Sequence, residues 1–272
     1  MSVLPKHSHT TTWWAPLQVK VFRMLWIAWL ASNICMWMND VAASWMMTSL
    51  SNSPTLVALV QTASNIPVFL LGLPSGALAD ILNRKRYFMA TQIWVASNAA
   101  ILCALSFMDL LNPQLLLFLT FMNGIGLAMR WPVFSAIVPD LVSKDHLPSA
   151  LALNGIAMNA SRIIGPLVAG AIIASLGSQY VFALNMLLSL ATMVLIYQWK
   201  YKAHVSTLPG ERFIGAMRVG VQYVRESTRM RAVLIRVFLF FMQSSALLAL
   251  LPVIAKDHFQ GDASTFTLML SC

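Results

Sequence analysis

Residues 56–86 read LVALVQTASNIPVFLLGLPSGALADILNRKR. From Leu56 to Ala79 the run carries no charged side chain. As a helix rising 1.5 Å per residue it extends ~36 Å, enough to cross a hydrocarbon core of about 30 Å. Asp80 and then Arg84-Lys85-Arg86 close it, a group of charges that is expensive to place inside lipid. An apolar run with a basic stop describes a membrane-spanning helix whose end is pinned to one side.

The same pattern recurs on both sides of this stretch. Apolar runs lie at roughly 22–49, 87–108, 113–138, 150–175, 179–199 and 233–254, and none alternates as a strand would. Between them sit short breakers: Asn52-Ser53-Pro54, Asn112-Pro113, Pro148 and Gly177-Ser178. Composition agrees. The 272 residues are 58% hydrophobic and 10% charged, whereas soluble chains carry about 25% charged residues. A soluble enzyme, a disordered tail and a disulfide-stapled secreted domain are all excluded.

The net charge of +9 would suggest nucleic acid if it covered one soluble face. Its distribution gives another reading. Lys6, Lys20 and Arg23 precede the first span, Arg84 to Arg86 follow the second, and Lys144 follows the fourth. Lys200, Lys202, Arg212, Arg218, Arg225, Arg229, Arg231 and Arg236 follow the sixth. The alternate connectors, near 50–55, 109–112 and 176–178, hold no Lys or Arg. By the positive-inside rule the amino terminus is cytoplasmic, and no nucleic-acid partner is expected.

This divides the chain into an amino-terminal cytoplasmic segment (1–21), six transmembrane helices (22–199), a cytoplasmic linker (200–232), and a seventh helix with the start of an eighth (233–272). In the linker, Phe213, Met217, Val221 and Val224 repeat at helical spacing, as in an amphipathic helix lying on anionic lipid. A helix that binds a partner protein is the alternative. Residues 1–20 lack the apolar core and cleavage site of a signal peptide. His7 and His9 have no third ligand near them, and Cys35 and Cys103 sit in apolar runs without metal-binding spacing, so no metal or cofactor is expected. No Gly-x-x-x-x-Gly-Lys-Ser/Thr, metal-ligand spacing or Ser/His/Asp set points to an enzyme.

Charges within the spans need a reason, since each costs about 2.5–3.5 kcal/mol at mid-bilayer. Counted from the start of its span, Asp40 lies near the outer end and Arg162 nearest the midplane. Arg130 lies near the inner end, where snorkelling is expected ahead of the alternative, that it lines a polar cavity. Asp40, Asn39, Asn65, Asn123, Asn159 and Arg162 are the candidates to line a substrate cavity. Interhelical hydrogen bonds are the competing role for the amides.

Two motifs carry a resemblance. Gly76-Ala77-Leu78-Ala79-Asp80-Ile81-Leu82-Asn83-Arg84-Lys85-Arg86 resembles the major facilitator superfamily signature between helices two and three, Gly-x-Leu-Ala-Asp-x-x-Gly-Arg-Lys/Arg. Gly76 permits close helix approach, Asp80 can face a helix amino end, and Asn83 replaces a glycine with a residue tolerant of left-handed backbone. Arg162-Ile163-Ile164-Gly165-Pro166-Leu167-Val168-Ala169-Gly170 resembles the superfamily's antiporter signature, Gly-x-x-x-Gly-Pro-x-x-Gly-Gly, with Ser161 and Ala169 in place of two glycines. Thr120 stands where the family usually has an Arg in helix four, and Arg130 is not its positional match.

Longer phrases, Trp37-Met38-Asn39-Asp40-Val41-Ala42 and Val138-Pro139-Asp140-Leu141-Val142 among them, resemble the exporter branch that includes enterobactin-exporter-like permeases. The resemblance implies an all-α membrane protein with a six-helix amino-terminal half, built as an inverted three-plus-three repeat, then helix seven and the start of helix eight. It implies a secondary efflux-type permease of a bacterial inner membrane, moving a small solute by alternating access with ion-gradient coupling. Gly76, Asp80, Arg84, Lys85, Asp140, Gly165, Pro166 and Gly170 would be its gating residues, with Asp80 docking on a late helix of a second half. The alternative expectation is a truncated, non-transporting remnant, or a half that assembles with a second half or another copy. Expected partners are membrane lipid and a small-molecule substrate.

Overall fold

The computed structural model describes residues 13–199, 222, 224–257 and 263–271. After a single turn at Ala15–Gln18, the helices are α1 (Lys20–Leu50), α2 (Pro54–Ile81), α3 (Arg84–Phe107), α4 (Pro113–Leu141), α5 (Leu147–Ser175), α6 (Ser178–Gln198), α7 (Thr228–Asp257) and α8 (Ala263–Ser271). Seven of them, α1 to α7, are long and apolar enough to cross a membrane. In lipid every backbone N–H and C=O needs an internal partner, which is why each apolar run is helical end to end.

Local chemistry sets the boundaries. Asn83 caps α3, its Oδ1 accepting from the Arg86 amide at 3.1 Å, and Asn112 caps α4, accepting from the Leu115 amide at 2.8 Å. The backbone at Asn83 is extended, with φ −61°, so this residue acts through its side chain and not through a left-handed turn. Gly177, at φ +110°, makes the tight turn from α5 to α6 in a conformation that other residues strain to adopt. The α7 helix begins at Thr228, inside the stretch expected to be linker, because Arg229 and Arg231 extend the helix beyond its apolar part. Of the expected amphipathic helix, Phe213, Met217 and Val221 lie outside the described residues, as do His7, His9, Lys200, Lys202 and Cys272.

The packing has internal symmetry. The extensive pairs are α2 with α4, α1 with α5, α3 with α6, α1 with α6 and α3 with α4. Exchanging α1–α3 for α4–α6 converts the first pair into the second and the fifth into the fourth, and leaves α3 with α6 unchanged. That is the contact pattern of an inverted three-plus-three repeat. Two serines mark it at atomic scale. Ser75 Oγ of α2 donates to Ala128 O of α4 at 2.9 Å, while Ser161 Oγ of α5 donates to Leu30 O of α1 at 3.4 Å. Beyond the repeat, α7 packs on α2 and α8 on α5.

Buried side chains fall into three layers along the helices. One apolar cluster includes Met38, Met47, Val57, Leu102, Leu116 and Phe182. The other, at the end carrying Arg84 and Lys144, includes Phe22, Trp29, Phe88, Phe134, Leu153 and Ile196. Between them each helix of the repeat contributes buried polar groups: Ser32, Ser64, Gln92, Asn123, Arg130, Ser161 and Asn185. The two apolar layers pack the helices. The middle layer is where most of the buried polar groups gather.

Candidate functional site

Asp40 lies on α1 at the depth of the first apolar cluster, between Met38 and Val41, partly buried, and its Oδ1 accepts from Ser64 Oγ of α2 at 3.0 Å. The same Ser64 presents its backbone to α4. A Cβ added at Gly124 would come within 2.5 Å of the Ser64 carbonyl oxygen, so α2 and α4 cross here because that residue has no side chain. One serine therefore links an acid on α1 to the tightest approach between α2 and α4.

Asn39, one residue away, turns to another helix. It is 1% exposed, and its Oδ1 accepts from Asn185 Nδ2 of α6 at 3.2 Å. Ser189 Oγ donates to Asn185 Oδ1 at 3.4 Å, and Gln92 Nε2 of α3 donates to Ser189 O at 3.2 Å. This chain of amides joins α1, α6 and α3.

Arg130 departs most from its sequence expectation. It is 3% exposed and does not snorkel to the membrane surface. The reason is helix length: α4 continues to Leu141, so Arg130 has eleven further residues, ~16 Å, between itself and the basic end. Its guanidinium lies 5.5 Å from the centroid of the Trp29 ring, which in turn stacks on Phe134 at 4.1 Å. Its Nη2 donates to Ser32 O over a long 3.4 Å, and Nε has no partner. A cation–π contact is worth about 2 kcal/mol when desolvated. Burying an ion costs several kcal/mol, so these contacts leave the charge under-compensated. Arg130, Ser32, Cys35, Met36, Asn123 and Leu127 border a cavity of about 10 Å³, room for roughly one water-sized guest.

The remaining cavity candidates look outward. Asn159 and Arg162 of α5 and Asn65 of α2 are exposed on the bundle. Asn159 and Asn65 donate to their own helices, to Gly155 O at 2.9 Å and Gln61 O at 2.8 Å. The Arg162 guanidinium lies 5.8 Å from the Trp37 ring of α1. Asn65 borders an open groove of about 470 Å³ between α2 and α7, with Gln61, Phe69, Ser245 and Ala249. Of the six candidates, the structure brings Asn123 to Arg130, leaves Asp40 with Ser64 and Asn39 with Asn185, and puts three on outer faces.

At the basic end, Arg84 Nη1 donates to Asp140 Oδ2 at 2.6 Å and to Ala136 O at 2.8 Å, tying the start of α3 to the end of α4. Lys85 Nζ donates to Tyr197 O at 3.0 Å and to Trp199 O, where the carboxyl end of α6 gathers partial negative charge. Asp80 is within α2, but its side chain is outside the described residues.

The glycines divide. A Cβ at Gly165 would lie 2.5 Å from Trp37 Cβ and 3.1 Å from Ile34 O, making it the α1–α5 crossing point beside the buried Pro166. Gly170 abuts the Thr267 side chain of α8. Gly76 differs from expectation, since no described atom lies within 4 Å of where its Cβ would be. Among the described residues nothing packs closely on Gly76, so their packing gives no reason for a glycine at this position.

A family model described as transmembrane secretion effector matches residues 11–272. The chain belongs to this family, within the major facilitator superfamily. It is 23% identical to the staphyloferrin A transporter of Staphylococcus aureus over 236 residues, 86% of this chain and 59% of that protein. Against macrolide efflux protein A of Streptococcus pyogenes it is 22% identical over 243 residues, 88% of this chain and 60% of that one. The macrolide efflux protein A of Enterococcus faecalis is 24% identical over 199 residues, 72% of this chain and 61% of its own length. The chain thus spans about three fifths of the length of these relatives.

As a transmembrane secretion effector the protein is an integral membrane protein of a transport family. Sequence reasoning missed two parts of its interior, the Ser64 joint and the burial of Arg130 against Trp29. The Gly124-Ile125-Gly126 run inside an apolar span was the available signal for the first. For the second it was the length of apolar helix beyond Arg130.

Proposed function

We propose that this transmembrane secretion effector works as an efflux-type secondary permease, moving a small amphipathic solute by alternating access and drawing on an ion gradient. The observation that carries this reading is the outward face of α5. Arg162 and Asn159 lie mid-helix and exposed, and Asn65 does so on α2. Lipid would charge about 2.5–3.5 kcal/mol for such an arginine, so this face is better suited to a water-filled path or a second helical bundle. Asp40, held by Ser64 at the α1–α2–α4 joint, is our candidate for the coupling group. Arg84, Lys85 and Asp140 form the gate at the end we assign to the cytoplasm of a bacterial inner membrane, with anionic lipid beside the basic loops. The names of the relatives suggest macrolides and staphyloferrin A as first solutes to try.

Inverted membrane vesicles test this directly. Labelled solute should accumulate when a proton or sodium gradient is imposed and should leak out when it is collapsed. Arg162→Ala should lower the initial rate by at least about tenfold, equivalent to ~1.4 kcal/mol at the transition state. Equal accumulation with and without any gradient would remove the reading. A second reading, an assembly module without transport of its own, is favoured by Gly76 of α2, which no described residue packs against closely. Native mass measurement and crosslinking from that position separate the two, since the module must be found with a second bundle or another copy.

A further inference from the structure

We infer that the cavity at Arg130, between α1 and α4, is a binding site for a single anionic group, either a halide or the carboxylate of a solute. Among the described residues, the buried side-chain atoms without a partner on this lining are Arg130 Nε and Ser32 Oγ, both able to donate. Arg130 carries five N–H donors. The structure gives one of them a partner, Ser32 O at 3.4 Å, and leaves Nε buried with none. Ser32 Oγ, on the same cavity, is also buried without a partner, as is Trp29 Nε1 one helical turn away. No carboxylate of the described residues forms an ion pair with Arg130, and Asp40 is engaged by Ser64. A guest that only accepts hydrogen bonds and carries negative charge matches this set.

Size and place narrow the guest further. The opening of about 10 Å³ takes one oxygen-sized group such as a carboxylate oxygen, or a halide once the lining side chains give slightly, and is too small for sulfate or the body of a solute. It sits in the polar layer between the two apolar cores, beside Asn123. An anion bound there would also strengthen the α1–α4 contact, because Ser32 and Arg130 come from opposite helices. The carboxylate form of the proposal rests on the transporter reading given above, whereas the halide form does not.

The experiment uses the purified protein in nanodiscs, in halide-free sulfate buffer, with thermal unfolding as the readout. Chloride, bromide, formate and acetate are titrated separately, with acetamide as the neutral control. We expect a saturable rise in the unfolding midpoint with at least one anion and none with acetamide. Arg130→Met should abolish the rise, and Ser32→Ala should weaken the apparent affinity about tenfold. A response to chloride and bromide assigns a halide, and a response to formate and acetate alone assigns a solute carboxylate. Absence of a saturable response to every anion means that the cavity holds water only and overturns the proposal. An equal response in Arg130→Met overturns it too. Should Arg130→Met fail to fold, unchanged affinity in Ser32→Ala has the same consequence. Gradient-driven uptake in vesicles is scored separately, so either idea can fail while the other stands.

Discussion

Ser64 hydrogen-bonds Asp40 through its hydroxyl, at 3.0 Å, while its carbonyl oxygen faces the α-carbon of Gly124 across the α2–α4 crossing. An ionisable group on one helix and the closest approach of two others therefore share a single residue. A change of charge at Asp40 has a short physical route to the packing of α2 on α4.

Substitutions at this joint should separate chemistry from packing. Asp40→Asn keeps the size and one acceptor, so we expect a folded protein whose uptake no longer depends on the ion gradient. Ser64→Ala removes a hydrogen bond to a carboxylate, a loss of about 1.5–3 kcal/mol when the acceptor is charged. It should lower the unfolding midpoint and leave partial gradient dependence. Vesicle uptake with and without the gradient, alongside thermal unfolding, checks both.

The glycines offer a graded packing test. Gly124→Ala and Gly165→Ala each force a methyl to within 2.5 Å of a neighbouring helix and should cost about 1–3 kcal/mol each. Gly76→Ala meets nothing within 4 Å among the described residues and should leave this bundle's stability unchanged or slightly raised by better helix propensity. Thermal unfolding in one detergent would rank the three. Equal losses at all three positions would contradict the geometry.

The Arg84–Asp140 pair has side chains 27% and 25% exposed, so solvent screens it. A double-mutant cycle with Arg84→Ala and Asp140→Ala should yield a coupling of no more than about 1 kcal/mol, shrinking as salt is raised. Arg84→Ala alone should cost more than Asp140→Ala alone, because it also forfeits the bond to Ala136 O.

Orientation can be tested with introduced thiols. Cys35 and Cys103 are buried and should stay silent to a membrane-impermeant maleimide. Asn52 and Asp145 are exposed at opposite ends of the bundle. In a variant with Cys272 replaced, Asn52→Cys should label in intact cells and Asp145→Cys only after permeabilisation. The reverse pattern would invert the assigned topology.

The positions of the helices were legible from the apolar runs, with ends that differ by up to about five residues, as at Thr228 and Leu141. Leu56 to Ala79 reads as a span because membrane crossing depends on the summed transfer energy of a contiguous segment, a local property. The Arg84–Arg86 and Lys144 clusters predict one side for the same reason. The partners of Asn39, Arg130 and Gly76 were not legible. In a helix apolar on nearly every side, the pattern does not reveal which face turns inward. Asn39 and Asp40 are adjacent in sequence yet turn to α6 and α2.

By itself, then, the sequence determined a membrane-spanning all-α chain, the approximate positions of its spans and an expected sidedness, all of which follow from local composition. Tertiary structure alone decided that Ser64 joins Asp40 to the Gly124 crossing, that Asn39 bonds Asn185, and that Arg130 is buried against Trp29. Those relations depend on the rotation and depth of each helix against its neighbours, set by small-residue contacts from distant parts of the chain.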